Sequence, residues 1–209
     1  MVYKGMTNGI HALPPNSRIL GLTYGEWAAK WWQWILSIPA NSNPANDTDG
    51  SKAYNLQNGP IWFLAGTFDP LTYAERYIKV AGPKLFFVPI ISTEKSWLEF
   101  PDFKEHELRA RAKNAIDRVN KIWANVNGLP VNNLERFRIK SDLFPLDLAK
   151  NNVLGLGQAR TKAVAEGYYL ILEQLGPGTY EVDFGGLALC VRDQLQFSTH
   201  VKYHITIIN

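Results

Sequence analysis

One cysteine in 209 residues, Cys190, excludes a disulfide scaffold, and its neighbours Leu189 and Val191 suit a small buried hydrophobe. Long apolar runs are missing as well. The nearest, Trp27 to Ile38, is broken by Lys30 and Gln33 and falls short of the ~18 residues that span a bilayer, so no membrane span is expected. Nor is charge of one sign in excess: 22 basic side chains face 19 acidic ones, for a net +3. The sharpest basic groups, Arg109, Arg111 and Lys113 and then Arg136, Arg138 and Lys140, are interleaved with acids. Nucleic-acid affinity comes from neutralising several phosphates with one patch, so no nucleic-acid partner is expected. The opening residues MVYKGMTNGI show no charged start leading into an apolar core, so no signal peptide is seen. The compartment therefore stays open between the cytoplasm and the mature form of an exported protein.

What the chain holds in excess is aromatic: 7 Trp, 9 Tyr and 10 Phe beside only 2 Met. Four of the tryptophans fall between Trp27 and Trp34. Thr23-Tyr24-Gly25-Glu26 fits a capping box, with Leu22 ahead of it, and predicts a helix from Tyr24 to Ser37 that stops before Pro39. Glu26, Lys30, Gln33 and Ser37 make one thin polar stripe, and every other position is apolar. A surface helix buries one face; this one asks for burial around most of its circumference, between two layers.

Residues 1–22, punctuated by Gly, Pro and Asn, read as an extended arm, and 41–59 as a polar loop. Ile61–Phe68, Arg76–Val80 and Lys84–Ile91 carry strand composition. A second helix is predicted from Phe103 to Val126 on the stripe Leu108, Ala112, Ala115, Ile116, Val119, Ile122, Trp123 and Val126, closed by Gly128. Glu135–Lys140 alternates as a strand, and Ala159–Glu166 suits a short helix. Gly167–Glu173 and Thr179–Phe184 flank a turn at Leu175-Gly176-Pro177-Gly178. Thr199–Ile208 alternates strictly, with Val201, Tyr203, Ile205 and Ile207 on one face and His200, Lys202, His204 and Thr206 on the other. The fold class expected is mainly β with inserted helices (α+β), an antiparallel β-sandwich or jelly roll carrying a Trp-rich N-terminal helix and one long amphipathic helix. Its domains are the 1–22 arm and a single 23–209 sandwich domain, with the helical insertion around 103–126.

Tyr24-Gly25-Glu26-Trp27-Ala28-Ala29-Lys30-Trp31-Trp32-Gln33-Trp34, ending at Ile38-Pro39, resembles the N-terminal signature of an uncharacterised microbial protein family. The resemblance continues in Gly59-Pro60-Ile61-Trp62-Phe63-Leu64-Ala65-Gly66, in Phe86-Phe87-Val88-Pro89-Ile90, and in Gly167-Tyr168-Tyr169 and Pro177-Gly178-Thr179-Tyr180. It implies one compact domain and no activity. Family members often carry export signals.

Few motifs carry chemistry. His200 and His204 share a strand face about 13 Å apart, too far to converge on one zinc. Asp47 and Asp49 are weak calcium candidates in an Asx-rich turn that lacks the bidentate glutamate, so no metal is assigned. Nucleophile elbow, Walker loop and a complete glycine fingerprint (Gly155-Leu156-Gly157-Gln158 stops short) are absent, and no cofactor is expected. Carboxylate pairs could assemble from Asp69, Glu75, Glu94, Glu99, Glu181 or Asp183, with Glu181 and Asp183 about 7 Å apart on one strand. The preferred expectation is a non-catalytic structural or interaction protein, a homo-oligomer that self-associates through its arm and Trp-rich helix. The alternative is a small-ligand module of carbohydrate type, and an enzyme with carboxylates assembled in space comes last. Interface or ligand candidates are Trp27, Trp31, Trp34, Tyr54 and Trp62.

Overall fold

The computed structural model describes residues 11–189 and 196–209. Cys190 and the opening ten residues, on which the thiol and signal readings rest, lie outside them.

Helix α1, Tyr24–Leu36, begins where the capping box puts it. The Glu26 amide donates to Thr23 Oγ1 (3.2 Å), and the Thr23 amide returns a bond to Glu26 Oε2 (2.7 Å). That amide is the main reason the Glu26 carboxyl sits below its usual range. Glu26 and Lys30 are exposed, Gln33 and Ser37 half-buried, and the apolar positions from Trp27 to Leu36 are all buried, so the polar stripe is the helix's single wet face. The second layer over α1 belongs to this chain. Gly25 lets the helix approach the sheet so closely that a Cβ there would lie 2.6 Å from the Lys140 carbonyl oxygen. The arm also docks on its own chain: Leu13 N donates to Ile171 O, and Glu173 N to His11 O.

Among the described residues ten strands form two five-stranded sheets. In the first, β1 (Ile61–Phe63), β3 (Lys84–Ser96), β8 (Ala159–Leu175) and β6 (Arg138–Lys140) run in that order, with β7 (Phe144–Leu148) also on β8. In the second the order is β2 (Tyr73–Ala81), β10 (Gln196–Ile208), β9 (Gly178–Leu189), β4 (Val119–Val126) and β5 (Leu129–Pro130). Both sheets are mixed, which corrects the antiparallel expectation: β1 runs parallel to β3, and β2 parallel to β10. The α+β class holds. Parallel neighbours need a crossover, and here the chain passes between sheets to make each one. α1 packs against β6, β7 and β8, and α2 (Glu105–Ile116) against β3 and β8.

Three local expectations fail. The helix predicted over 103–126 ends at Ile116, and Val119–Val126 is strand β4. There Ala124 and Val126 are buried while Lys121 is exposed, a period of two hidden inside what looks like a 3.6 stripe. Asn127 (φ 51°) and Gly128 (φ 75°) then make the Asn-Gly hairpin turn into β5, so Gly128 closes a hairpin rather than a helix. Ala159–Glu166 is likewise strand, the first half of β8. Leu134–Phe137 is a 3-10 turn that leaves only Arg138–Lys140 extended. In the first two cases pairing with a long neighbouring strand decides the backbone over local propensity, and in the third only Arg138–Lys140 reaches β8 to pair. The alternation of β10 is as the sequence predicts, with Val201, Tyr203, Ile205 and Ile207 all buried.

Loop 41–59 is built rather than loose. Asn43, fully buried, donates from Nδ2 to the Ile35 and Ile38 carbonyls and so closes the end of α1, while its Oδ1 accepts from the Ala45 amide. Residues 48–50 then lie along the free edge of β2, where the Glu75 and Tyr77 amides donate to the Thr48 and Asp49 carbonyls.

Candidate functional site

β3 is interrupted at Pro89, where its register on β8 shifts between Pro89 and Ile91. A proline inside a central strand has no ladder donor, and a bulge accommodates it. Past the bulge the strand runs on to Ser96, with Glu94 and Ser96 buried and Thr93 and Lys95 half-exposed. Glu94 thus occupies an inward strand position that the pleat would normally give to an apolar side chain.

There it lines a cavity of about 150 Å³ walled by Trp31, Trp32 and Phe68, with Ile91 and Leu154, and with Thr67 and Thr199 opposite. Glu94 is only 3% exposed, and its Oε2 has no hydrogen-bond partner. Burial first, and then the charge of Glu99, push its carboxyl up to about 8, with Lys95 pulling the other way. It therefore holds its proton at neutral pH, because an unpaired buried charge costs more than the neutral acid. Glu99 lies on the same cavity, and a side-chain hydrogen bond between it and Glu94 adds to the upward push. Its Oε2 accepts from Ser96 N and Oγ, both at 3.0 Å, and its Oε1 faces Lys95 Nζ at 3.4 Å.

The aromatic walls are fixed by their own N–H groups. Trp31 Nε1 donates to the Leu64 carbonyl at 2.7 Å and Trp32 Nε1 to Tyr169 Oη at 3.1 Å. The two indoles meet edge to face at 4.9 Å, and Phe68 stands edge-on to Trp32 at 6.0 Å. Arg76 braces the segment that forms the opposite wall. It is fully buried and donates to the carbonyls of Asp47, Ala65 and Gly66 and to Tyr203 Oη. Tyr203 Oη in turn accepts from the Ala65 amide, and the Thr67 amide donates to Thr199 Oγ1.

The candidates from sequence separate. Trp31 belongs to this cavity. Trp27 and Trp34, 8% and 7% exposed, border a shallower groove of about 440 Å³ between the polar stripe of α1 and the loop from Leu56 to Ile61. Their N–H groups donate to the Ile19 and Asn55 carbonyls. Tyr54 is exposed at the edge of β2, its hydroxyl accepting from the Lys79 amide, and Trp62 packs edge-on against it at 5.7 Å. Trp62 Nε1 is the other buried side-chain atom without a partner among the described residues. Asp47 is buried, and its carboxylate accepts from the amides of Asp49, Gly50 and Lys52, an Asx turn in which the lone pairs serve the backbone. Among the described residues no three His, Cys, Asp or Glu side chains converge as a metal site.

Of the six carboxylates, the fold brings Glu94 and Glu99 to one cavity. Asp69 closes its own turn through Leu71 N and Thr72 Oγ1. Glu75, Glu181 and Asp183 share the outer face of the second sheet, beside His204, Lys202 and His200 respectively. On that face Tyr73 and Tyr77 lie exposed against His200 and His204. Trp123 rests on Gly185, where a Cβ would come within 2.3 Å of the indole, and its Nε1 donates to Asp183 Oδ1.

Sequence reading missed the site because Ser92-Thr93-Glu94-Lys95-Ser96 looks like a polar exit from a strand ending at Ile91. The usable signal was the alternation itself, which continues through Thr93 and Lys95 to Trp97. No helix among the described residues is long and apolar enough to cross a membrane. Comparison with protein-family models, with curated proteins and with solved structures finds no match.

Proposed function

We propose that this chain is a non-catalytic, small-ligand-binding module in a sandwich-like frame, with its ligand in the Trp31–Trp32–Glu94 cavity. One observation carries this: a glutamate 3% exposed, one oxygen unpartnered, on the wall of an aromatic cavity. Buried polar atoms are normally satisfied, so an orphan beside empty space points to a group that arrives from outside. Binding is favoured over turnover because the other polar groups around it are engaged with one another: Glu99 with Ser96 and Lys95, Thr67 with Thr199. Acid–base chemistry uses a second poised proton carrier within reach of the reacting atoms. Self-association through the Trp-rich helix has less to recommend it, since this chain's own layers cover the helix. Membership of the microbial family that the N-terminal signature resembles is compatible with such a module and assigns it no chemistry.

Thermal-shift screening of compounds of up to about eight heavy atoms tests the proposal, the size being set by the ~150 Å³ cavities that admit benzene. Hits on the wild type are expected to vanish in Leu154→Trp, which puts a larger side chain into the cavity lining. Hits that survive this change, or a library that shifts nothing, would count against it.

The outer face of the second sheet supports a second reading, of carbohydrate type. Trp123 packs on Gly185 beside Asp183 and His200, with Lys121 Nζ 5.5 Å from its ring centre and Tyr73 and Tyr77 exposed on the same face, and aromatic rings of this kind stack on sugars. On a glycan array any signal is expected to fall at least tenfold in Trp123→Ala and to be indifferent to Leu154→Trp. An array that stays blank for the wild type removes this reading.

A further inference from the structure

The cavity holds two acids and one base. Lys95 faces Glu99, whose other oxygen accepts from Ser96, while Glu94 Oε2 has no donor. Glu94 is faced by Glu99 and Lys95 from its own end of β3 and by Tyr169 from β8, whose hydroxyl is hydrogen-bonded to Trp32. Glu166, further along β8, is paired with Arg138. The α1 wall is aromatic and adds no charge. Since buried carboxylates are found paired, the missing component is a cation. The walls suit one. With both indole N–H groups engaged, Trp31 and Trp32 can offer a ligand only their rings, and aromatic rings attract cations.

We propose that the cavity binds a small primary ammonium compound, its nitrogen donating to Glu94 Oε2 and its carbon skeleton against Trp31, Trp32 and Phe68. This rests on the ligand-binding reading above and names its chemical class. The protons balance simply. The ligand enters as R–NH3+ and keeps its three protons; Glu94 gives its own proton to the buffer and becomes the carboxylate partner. No bond other than that O–H breaks. Binding at pH 7 therefore releases most of a proton per ligand, because the Glu94 carboxyl is pushed up to about 8 before the ligand arrives.

Isothermal titration calorimetry at pH 7 in phosphate and in Tris, which differ in ionisation enthalpy, reads that proton directly. The probes are cyclohexylamine and its neutral counterpart cyclohexanol. Cyclohexylammonium is expected to bind the wild type with close to one proton released, at least tenfold tighter than cyclohexanol. Its affinity is expected to fall at least tenfold in Glu94→Gln, which keeps the shape and removes the charge. If cyclohexanol binds as tightly, with no buffer dependence and no response to Glu94→Gln, the cavity stands as a ligand site and the ammonium assignment is overturned. If neither compound binds the wild type, both readings fail. Proton release is measured on the wild type alone, so the outcome does not depend on how the variant folds.

Discussion

Glu94→Gln is expected to make the protein more stable at pH 9 than the wild type and to flatten the dependence of stability on pH. The Glu94 carboxyl titrates near 8 in the folded chain against an ordinary value of 4.5. Its folded pKa is the higher one, so between those limits the folded state binds more protons than the unfolded state. Stability from this group is complete below about pH 4.5 and is lost as pH rises through 8. The size is on the order of 3–5 kcal/mol, taking 1.36 kcal/mol per pH unit and allowing for relaxation around a group that is not sealed completely. In a chain of this length that corresponds to roughly 6–20 °C in Tm. Glutamine cannot ionise and should not show the decline. The carboxyls held low elsewhere, among them Glu26, Asp49, Asp69, Glu75 and Asp117, move the opposite way and lose their contribution only in acid, outside this window. Thermal unfolding followed by circular dichroism at pH 5, 7 and 9 checks it. Parallel wild-type and variant profiles would mean that Glu94 is paired or hydrated in solution.

A loss of about 4 kcal/mol or more is expected for Arg76→Met. Arg76 is fully buried, and among the described residues it forms no ion pair. Its charge is met instead by three carbonyl oxygens and the Tyr203 hydroxyl, with the guanidinium 5.3 Å from the centre of the Tyr203 ring. Methionine fills much of the same space but leaves the Asp47 and Gly66 carbonyls without the guanidinium donor and the Ala65 carbonyl with only the Tyr203 hydroxyl, and hydrogen bonds to charged groups contribute about 1.5–3 kcal/mol each. The losses would not simply add, since the site relaxes as one unit. Because Arg76 ties the 47–50 loop edge and the 65–67 cavity wall to β2, the damage should also have a location. Limited proteolysis is expected to cut within 41–59 in the variant well before the wild type. A urea midpoint that shifts by the equivalent of less than 1 kcal/mol would show that the three carbonyls find other partners.

How much of this could be read from the sequence depends on how local each cause is. The start of α1 is a four-residue affair between Thr23 and Glu26, and the polar stripe from Glu26 to Ser37 states which face stays wet, so both were legible. So was the inner face of β10. The conversion of Val119–Val126 into strand was not, because Ile122 and Val126 satisfy a helical stripe and a pleat equally well. Pairing with β9 decides between them. The Asn127-Gly128 pair was the local hint, and it was outweighed by the helix pattern before it. Arg76 sits between Ala74, Ile78 and Val80 in a clean alternation, so its inward position was readable, whereas the carbonyls that receive it come from 10 to 30 residues away. Glu94 is the hardest case: its role depends on a bulge at Pro89, on Glu99 folding back beside it, and on α1 supplying an aromatic wall from 60 residues upstream. No local pattern carries that convergence, although all its members were among the residues singled out or adjacent to them.

Glu94 is expected to sit protonated at neutral pH, with its Oε2 unpartnered in the aromatic cavity. The most direct measurement is the titration of the Glu94 side-chain carboxyl by carbon-13 NMR on glutamate-labelled protein, assigned by the signal missing in Glu94→Gln. A midpoint near 8 is the predicted result, moving down when cyclohexylammonium is added. A midpoint near 4.5 in the ligand-free protein would contradict the account.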